Sequence, residues 1–357
     1  MEGGEFRVSY SVGVFPGKFS PPHRGHLASI LEASCRCEKL YVVVSHNEKL
    51  EQSMYDGTPT KPITLKQKLK WLSVELSEFD HIRVVGLDEK DIPVYPYGWK
   101  QWCELLNESV KEPFEVIFGG EPQYADEGYT KYFPDTIYAV YERTQSGYPI
   151  SATEIRVNPY KHWDYILGAA REHFVKRVLI SGTESCGKTT MTKMLAKIFH
   201  TSWAREEGRF YSTKYFGGNE DVFEVDDFLK ICWEQREIED HAVKTANQIT
   251  FFDTDAVVTQ FYCNMYLGEH NPKIETFVDP TLYDKVLFLT PSVKWVSDGF
   301  RWNDNDSVRW NLHEELKEMY RERGFGDKLV VIYGNSYRKR LKDAIEESRA
   351  LIGGGDE

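Results

Sequence analysis

Two glycine-bearing turns, each set between an apolar run and a helical segment, constrain this 357-residue chain more than any other feature. The first is Gly17-Lys18-Phe19-Ser20-Pro21-Pro22-His23-Arg24-Gly25-His26, behind an apolar run that ends at Phe15. The second is Gly182-Thr183-Glu184-Ser185-Cys186-Gly187-Lys188-Thr189, behind Val178-Leu179-Ile180, and it satisfies GxxxxGK[ST] at every fixed position. A strand that feeds a tight turn and then a helix leaves unpaired amides at the helix start, where phosphate binds. Two such turns predict two phosphate sites, and the length allows a separate core for each.

The pattern around both turns predicts an α/β fold. Tyr10–Phe15, Leu40–Ser45, His81–Gly86, Glu115–Phe118 and Thr136–Val140 read as strands, and His23–Cys35, Leu65–Leu76 and Gly98–Val110 as helices. Asn158–Glu172 reads as a helical connector begun by Asn158-Pro159. A second series follows, with strands Arg177–Ile180, Ile249–Phe252, Lys285–Leu289 and Leu329–Tyr333 and helices Met191–Phe199 and Tyr337–Leu351. Strands alternating with helices imply parallel sheets covered on both faces. The expected division is 1–157 for a first domain, 158–176 for the connector and 177–357 for a second domain. Gly353-Gly354-Gly355 should fray.

Composition removes several function classes. A net charge of −12 and no basic stretch argue against a nucleic-acid partner. No apolar run is long enough to span a bilayer, and the N-terminus lacks a signal-peptide pattern, so a cytoplasmic protein is expected. The six cysteines form no CxxC pair and read as scattered reduced thiols. Cys186 lies inside the second turn, where helix amides could lower a thiol pKa and make the loop redox-sensitive, but a small residue that simply fits the loop is the better account of it.

At the first turn His23 and His26 can both face one phosphate, Gly25 permits close approach, and Lys18 adds positive charge. Gly17 and Phe19 shape the turn. Downstream, Ile150-Ser151-Ala152-Thr153-Glu154-Ile155-Arg156 offers the hydroxyls of Ser151 and Thr153 and the Arg156 guanidinium to the β- and γ-phosphates of ATP. HxGH followed by this segment fits a nucleotidyl transferase, in which a substrate phosphate attacks the α-phosphate of ATP. At the second turn the amides from Gly182 through Thr190 (over Thr183, Glu184, Ser185, Cys186 and Gly187) cradle phosphate, Lys188 reaches the β- and γ-phosphates, and Thr189 ligates magnesium. Asp253 and Asp255 end a strand, Asp253 to hold magnesium or act as base and Asp255 to meet the acceptor. Glu206 and Arg209 suit a ribose, and Glu206 competes with Asp253 for the role of base. Trp295-Val296-Ser297-Asp298-Gly299-Phe300-Arg301 reads as a lid whose Arg301 closes over ATP, and Tyr337 reads as part of the adenine pocket.

These residues resemble the HxGH nucleotidyl transferase superfamily and, more narrowly, bifunctional NadR-type enzymes. The points of likeness in the first half are Gly17-Lys18-Phe19 with Pro21, Asp91-Ile92-Pro93 with Tyr95-Pro96-Tyr97-Gly98-Trp99, and Gly119-Gly120-Glu121-Pro122-Gln123-Tyr124. In the second half they are the P-loop, Glu206 to Arg209, Phe251-Phe252-Asp253-Thr254-Asp255 and the Trp295 to Arg301 segment. The resemblance implies a Rossmann-like adenylyltransferase followed by a P-loop kinase, acting in NAD salvage. The kinase would phosphorylate nicotinamide riboside with ATP, and the transferase would join the resulting nicotinamide mononucleotide to a second ATP, releasing pyrophosphate and NAD. It places Trp99, Tyr124 and Glu121 at the mononucleotide, with magnesium as the cofactor of ATP.

Ala152 departs from the serine common in the second transferase segment. Some family members begin with a DNA-binding domain, and nine residues before the first expected strand leave no room for one here. A transferase–kinase fusion for another phosphorylated cofactor precursor, or a nucleotide-sensing regulator with a non-catalytic P-loop, are the competing readings. The sequence is compatible with a homo-oligomer.

Overall fold

The computed structural model describes residues 10–93, 97–141, 147–268, 270–292 and 306–353. The chain divides into two compact units, 1–174 and 175–357, each built on its own five-stranded parallel sheet.

The first unit runs β1 (Tyr10–Gly17), α1 (Arg24–Ser34), β2 (Cys37–His46), α2 (Glu48–Tyr55), α3 (Leu65–Glu75), β3 (Ile82–Asp88), α4 (Trp99–Val110), β4 (Val116–Gly119), α5 (Thr130–Tyr132), β5 (Ile137–Val140) and α6 (Ala152–Val157). Its strand order is β3-β2-β1-β4-β5. The chain builds outward from β1 on one side through β2 and β3, then crosses back to add β4 and β5 on the other. The carboxyl ends of β1 and β4 therefore flank the point where strand order reverses, where ligands enter open α/β sheets. Val14, Val43, Leu106 and Ile117 fill the core between this sheet and α4. Gly13 makes β1 fit there, since a Cβ would lie 2.4 Å from Cys37 Sγ.

Residues 158–176, expected as a helical connector, form no α-helix. They hold two 3₁₀ turns, Trp163–Tyr165 and Gly168–His173, and residues through 174 belong to the first unit. Trp163, Ile166, Leu167, Ala170 and Phe174 are all buried, an apolar spacing that helical periodicity alone mimics.

The second unit runs β6 (Lys176–Ser181), α7 (Lys188–Ile198), β7 (Trp203–Ala204), α8 (Glu207–Phe216), α9 (Val225–Lys244), β8 (Ile249–Asp253), α10 (Ala256–Leu267), β9 (Lys285–Leu289), α11 (Asp306–Tyr320), β10 (Leu329–Ile332) and α12 (Tyr337–Arg349). The order is β10-β9-β6-β8-β7, with β6 central. Val178, Ile180, Phe251, Leu287 and Leu289 pack beneath α7 and α12 through Leu195 and Ala344. The sequence reading contained no α8, α9, α10 or α11. The longest of these, α9, starts at a capping box of Glu224 and Asp227, a pairing outside the Ser/Thr pattern that marks most helix starts.

Of the expected features, the Trp295 to Arg301 segment, Tyr95-Pro96 and Gly354-Gly355 lie outside the described residues. Among the described residues, no helix is long and apolar enough to cross a membrane.

Gly13→Ala should lower stability by about 1–3 kcal/mol, because overpacking a full core forces backbone shifts. Gly326→Ala, which meets nothing within 4 Å, should leave the melting temperature unchanged or slightly higher. Thermal denaturation of the two variants checks the contrast.

Candidate active sites

At the end of β1 the turn wraps a cavity of about 670 Å³, within the size range of small-molecule sites. His23 is the N-cap of α1: its Nδ1 accepts a hydrogen bond from the His26 amide at 3.3 Å. The two imidazoles stack, with centroids 3.7 Å apart and planes 26° off parallel, and both line the cavity. Phe19 meets His26 edge to face at 5.0 Å. Gly17, Lys18 and Phe19 also line the wall. Gly25 lines the cavity as well, and a Cβ there would come 3.1 Å from the His23 ring and 3.3 Å from the Tyr148 carbonyl, so its smallness also makes room for His23.

The downstream segment forms α6. Ser151 is its N-cap in a capping box with Glu154, its hydroxyl donating to Glu154 Oε2 at 2.7 Å. Thr153 accepts from Arg156 at 2.9 Å. Arg156 is nearly buried, and its guanidinium also donates to the Ser20 carbonyl at 2.5 Å and the Met54 carbonyl at 3.1 Å. Expected as a phosphate-binding cation, Arg156 here ties α6 to the first turn from the cavity wall.

The far wall is aromatic. Trp99, the first residue of α4, packs edge to face on Tyr124 at 5.5 Å and on Tyr129 at 5.1 Å. Gly128 lies directly under its ring, where a Cβ would come within 2.4 Å. Glu121 and Tyr124 share this wall. The sequence reading missed Trp102, Tyr129, Tyr138 and Glu89, which line it too. Trp102 Nε1 donates to Glu89 Oε1 at 3.0 Å, fixing a carboxylate among the rings. A visible signal existed for Glu89, because it directly follows β3, where α/β chemistry collects.

In the second unit a cavity of about 430 Å³ opens beyond β6. The loop reaches it through Gly182, Ser185 and Gly187, all with positive φ. Lys188 is buried, its Nζ donating to the Thr183 carbonyl at 3.0 Å. Burial opposes the charge of Lys188, but Cys186, Glu206, Asp253 and Glu184 outweigh it and hold its pKa above the ordinary value. Glu184, Ser185, Gly187, Lys188, Thr189 and Thr190 line the cavity. The Cys186 side chain instead faces the core with no exposure, a position that shields it from oxidants, and its carbonyl accepts from Arg340 at 2.8 Å. Tyr337 starts α12 with its ring over Gly187.

Asp253 ends β8 fully buried, and among the described residues neither carboxylate oxygen meets a donor at hydrogen-bond length. Burial first, then the Glu206 carboxylate, raises its pKa to about 7; Lys188 and the nearby Thr189 hydroxyl only partly offset them. Thr254 follows at φ 70°, a strained value for a β-branched residue, and the chain then turns into α10. Asp255 is therefore not at the cavity. It is the N-cap of α10 and accepts from Tyr320 at 2.5 Å, which corrects its expected place at the acceptor. Glu206 and Arg209 do stand on the cavity wall, 3.8 Å apart. Beside them the sequence reading missed Glu220, Tyr262 and Tyr266, with Tyr266 donating to Glu220 at 2.9 Å. Arg301 lies outside the described residues.

Each unit is thus an α/β nucleotide-site module with its cavity at the carboxyl edge of a parallel sheet. Residues 177–340 match the family model described as an AAA domain. The chain is 30% identical over 351 residues to the trifunctional NAD biosynthesis/regulator protein NadR of Escherichia coli (strain K12), covering 97% of this chain and 85% of that protein. A solved structure of NadR in complex with NR superimposes with a TM-score of 0.81 at 27% identity, covering 98% of both chains. NadR in complex with NAD and AMP-PNP superimposes with a TM-score of 0.78 at 26% identity and the same coverage. The chain belongs to the NadR family.

The Asp253 carboxyl keeps its proton to higher pH in the folded chain than in the unfolded one. The folded state therefore loses stability as pH rises from 3.8 through about 7. Asp253→Asn should melt higher than the parent at pH 8, with the gap closing toward pH 4. Melting curves across that range check it, and a gap independent of pH contradicts it.

Proposed function

We propose that this chain carries out two consecutive steps of NAD salvage. The second unit phosphorylates nicotinamide riboside with ATP, and the first unit adenylates the resulting nicotinamide mononucleotide with a second ATP, giving NAD and pyrophosphate. The observation that carries the reading is the pair of separate cavities, one walled by His23 and His26 and the other by Lys188 and the P-loop. Family membership over 97% of the chain supports it.

In the kinase step the P-loop amides and Lys188 hold the β- and γ-phosphates of ATP. Glu206 and Arg209 hold the ribose, with Glu206 taking the proton of the 5′-hydroxyl as it attacks the γ-phosphorus. Between the two candidate bases Glu206 has the better position, because it lines the cavity whereas Asp253 is enclosed. Asp253 and Thr189 fit magnesium held largely through water, since the buried carboxylate and the hydroxyl stand close together beside Lys188. Magnesium would neutralise charge on the phosphates. Glu220, Tyr262 and Tyr266 suit the cationic nicotinamide ring, an acidic and aromatic surround that favours positive charge.

In the transferase step the mononucleotide phosphate attacks the α-phosphorus of ATP and pyrophosphate leaves. No protein nucleophile is needed. His23 and His26 donate hydrogen bonds to oxygens that gain charge at the α-phosphorus, and Lys18 faces the triphosphate. Trp99 and Tyr124 stack on the nicotinamide, with Glu121 and Glu89 supplying negative charge nearby. Arg301 is proposed to close over ATP and stabilise the charge on the transferring phosphate, and Tyr337 to line the adenine pocket of the kinase.

Lys188→Ala should lower mononucleotide formation about 10²–10³-fold and leave NAD synthesis from added mononucleotide unchanged. His26→Ala should do the reverse. Following ADP, mononucleotide and NAD in one reaction with magnesium, ATP and nicotinamide riboside tests both. Loss of both steps in either folded variant would contradict two independent sites.

A further inference from the structure

Behind the first turn, away from the cavity, lies an ion pair that the chemistry described so far leaves unused. Lys68, on α3, is completely enclosed, and Glu51, on α2, is 2% exposed. Lys68 Nζ donates to Glu51 Oε1 at 2.6 Å, to the Lys18 carbonyl at 2.8 Å, to Ser20 Oγ at 3.1 Å and to the Ser45 carbonyl at 3.4 Å. The Ser20 hydroxyl donates in turn to Glu51 Oε2. His46 Nδ1 approaches Glu51 Oε1 at 3.5 Å from the end of β2. Arg156 closes the arrangement by donating to the Ser20 carbonyl.

The Lys18 and Ser20 carbonyls therefore each accept from a buried cation. Neither Glu51 nor Lys68 lines the cavity. A buried ion pair is a poor source of stability, since desolvation offsets most of its attraction and an apolar pair of similar volume commonly does as well. What it supplies is position. Lysine with three donors, set among two carbonyls, a hydroxyl and a carboxylate, accepts one geometry of the loop and rejects others.

We propose that the buried Glu51–Lys68 pair is the positioning device of the first turn, holding Lys18 to Ser20 so that Lys18, His23 and His26 meet the reacting phosphates together. The pair acts through the turn and touches no substrate. The assignment rests on the adenylyl-transfer reading of this site. It makes the chemical step, rather than substrate binding, depend on two residues outside the cavity. A misplacement of about 1 Å in such a site lowers turnover by about 10²-fold.

Removing one partner strands a buried charge, so Glu51→Gln or Lys68→Met alone can fail to fold. The informative variants are the double Glu51→Gln/Lys68→Met, which leaves no unpaired charge, and Ser20→Ala, which removes the hydroxyl bridging the pair to the turn. Each is assayed for NAD formation from ATP and nicotinamide mononucleotide, for its melting temperature, and for riboside phosphorylation as a control in the same chain. The expected result is a kcat for NAD formation about 10–100-fold lower with KM values within about threefold of the parent. Melting of the double variant should stay close to the parent, and kinase turnover should be unchanged. A folded double variant with parental kcat overturns the proposal, as does Ser20→Ala with parental kcat. Should the double variant not fold, Ser20→Ala alone decides. Absence of NAD formation by the parent itself would sink the adenylyl-transfer reading, and this proposal with it, a result separate from any variant's behaviour.

Discussion

Everything chemical in this chain depends on the carboxyl ends of parallel strands. In such a sheet all strands end on one edge, and the helices that follow begin there with amides that have no partner in their own helix. β1 and β6 occupy the middle of their sheets, so the turn after each is flanked by loops from neighbouring strands. Glu89 follows β3, and Gly119 to Tyr124 follow β4. Glu206 and Arg209 follow β7, and Asp253 ends β8. The apolar cores place these loops side by side, and at the first turn long-range contacts from Lys68 and Arg156 to backbone carbonyls are added.

The two sites apply charge differently. In the first, imidazoles, aromatic rings and the charges of Lys18, Glu89, Glu121 and Arg156 line the cavity, while the Glu51–Lys68 pair is buried behind the turn and acts on its backbone. In the second, a buried lysine lines the cavity and the enclosed Asp253 carboxylate lies behind it, beside Lys188 and Thr189. Asp253 is unfavourable in the folded chain above its raised pKa, a cost that a cation beside it would remove.

Local patterns made much of this visible in the sequence. The strand–turn–helix context of Gly17 to His26 and of Gly182 to Thr189 shows in contiguous residues, and both turns form as that context implies. Asp255 was misplaced because its neighbour Thr254 adopts a positive φ, which no residue-type rule anticipates for a β-branched side chain. Arg156 lines the first cavity, and its hold on the turn is not legible in the sequence. Its partners, the carbonyls of Ser20 and Met54, are far away in sequence. Glu51 and Lys68 were invisible for the same reason: each looks like an ordinary charge on an amphipathic helix until folding encloses both. Residues 158–176 mimic a helix in the sequence because buried side chains in successive 3₁₀ turns repeat at nearly helical spacing.

The central claim is that one chain cuts ATP at two different phosphorus atoms and places both phosphates in one product. Isotopic labelling tests it directly. The protein is incubated with nicotinamide riboside and ATP labelled with ³²P at either the α or the γ position, and the NAD formed is cleaved at its pyrophosphate bond. The account predicts γ-label in the nicotinamide mononucleotide half and α-label in the AMP half. NAD that carries no γ-label, or γ-label found in the AMP half, would contradict it.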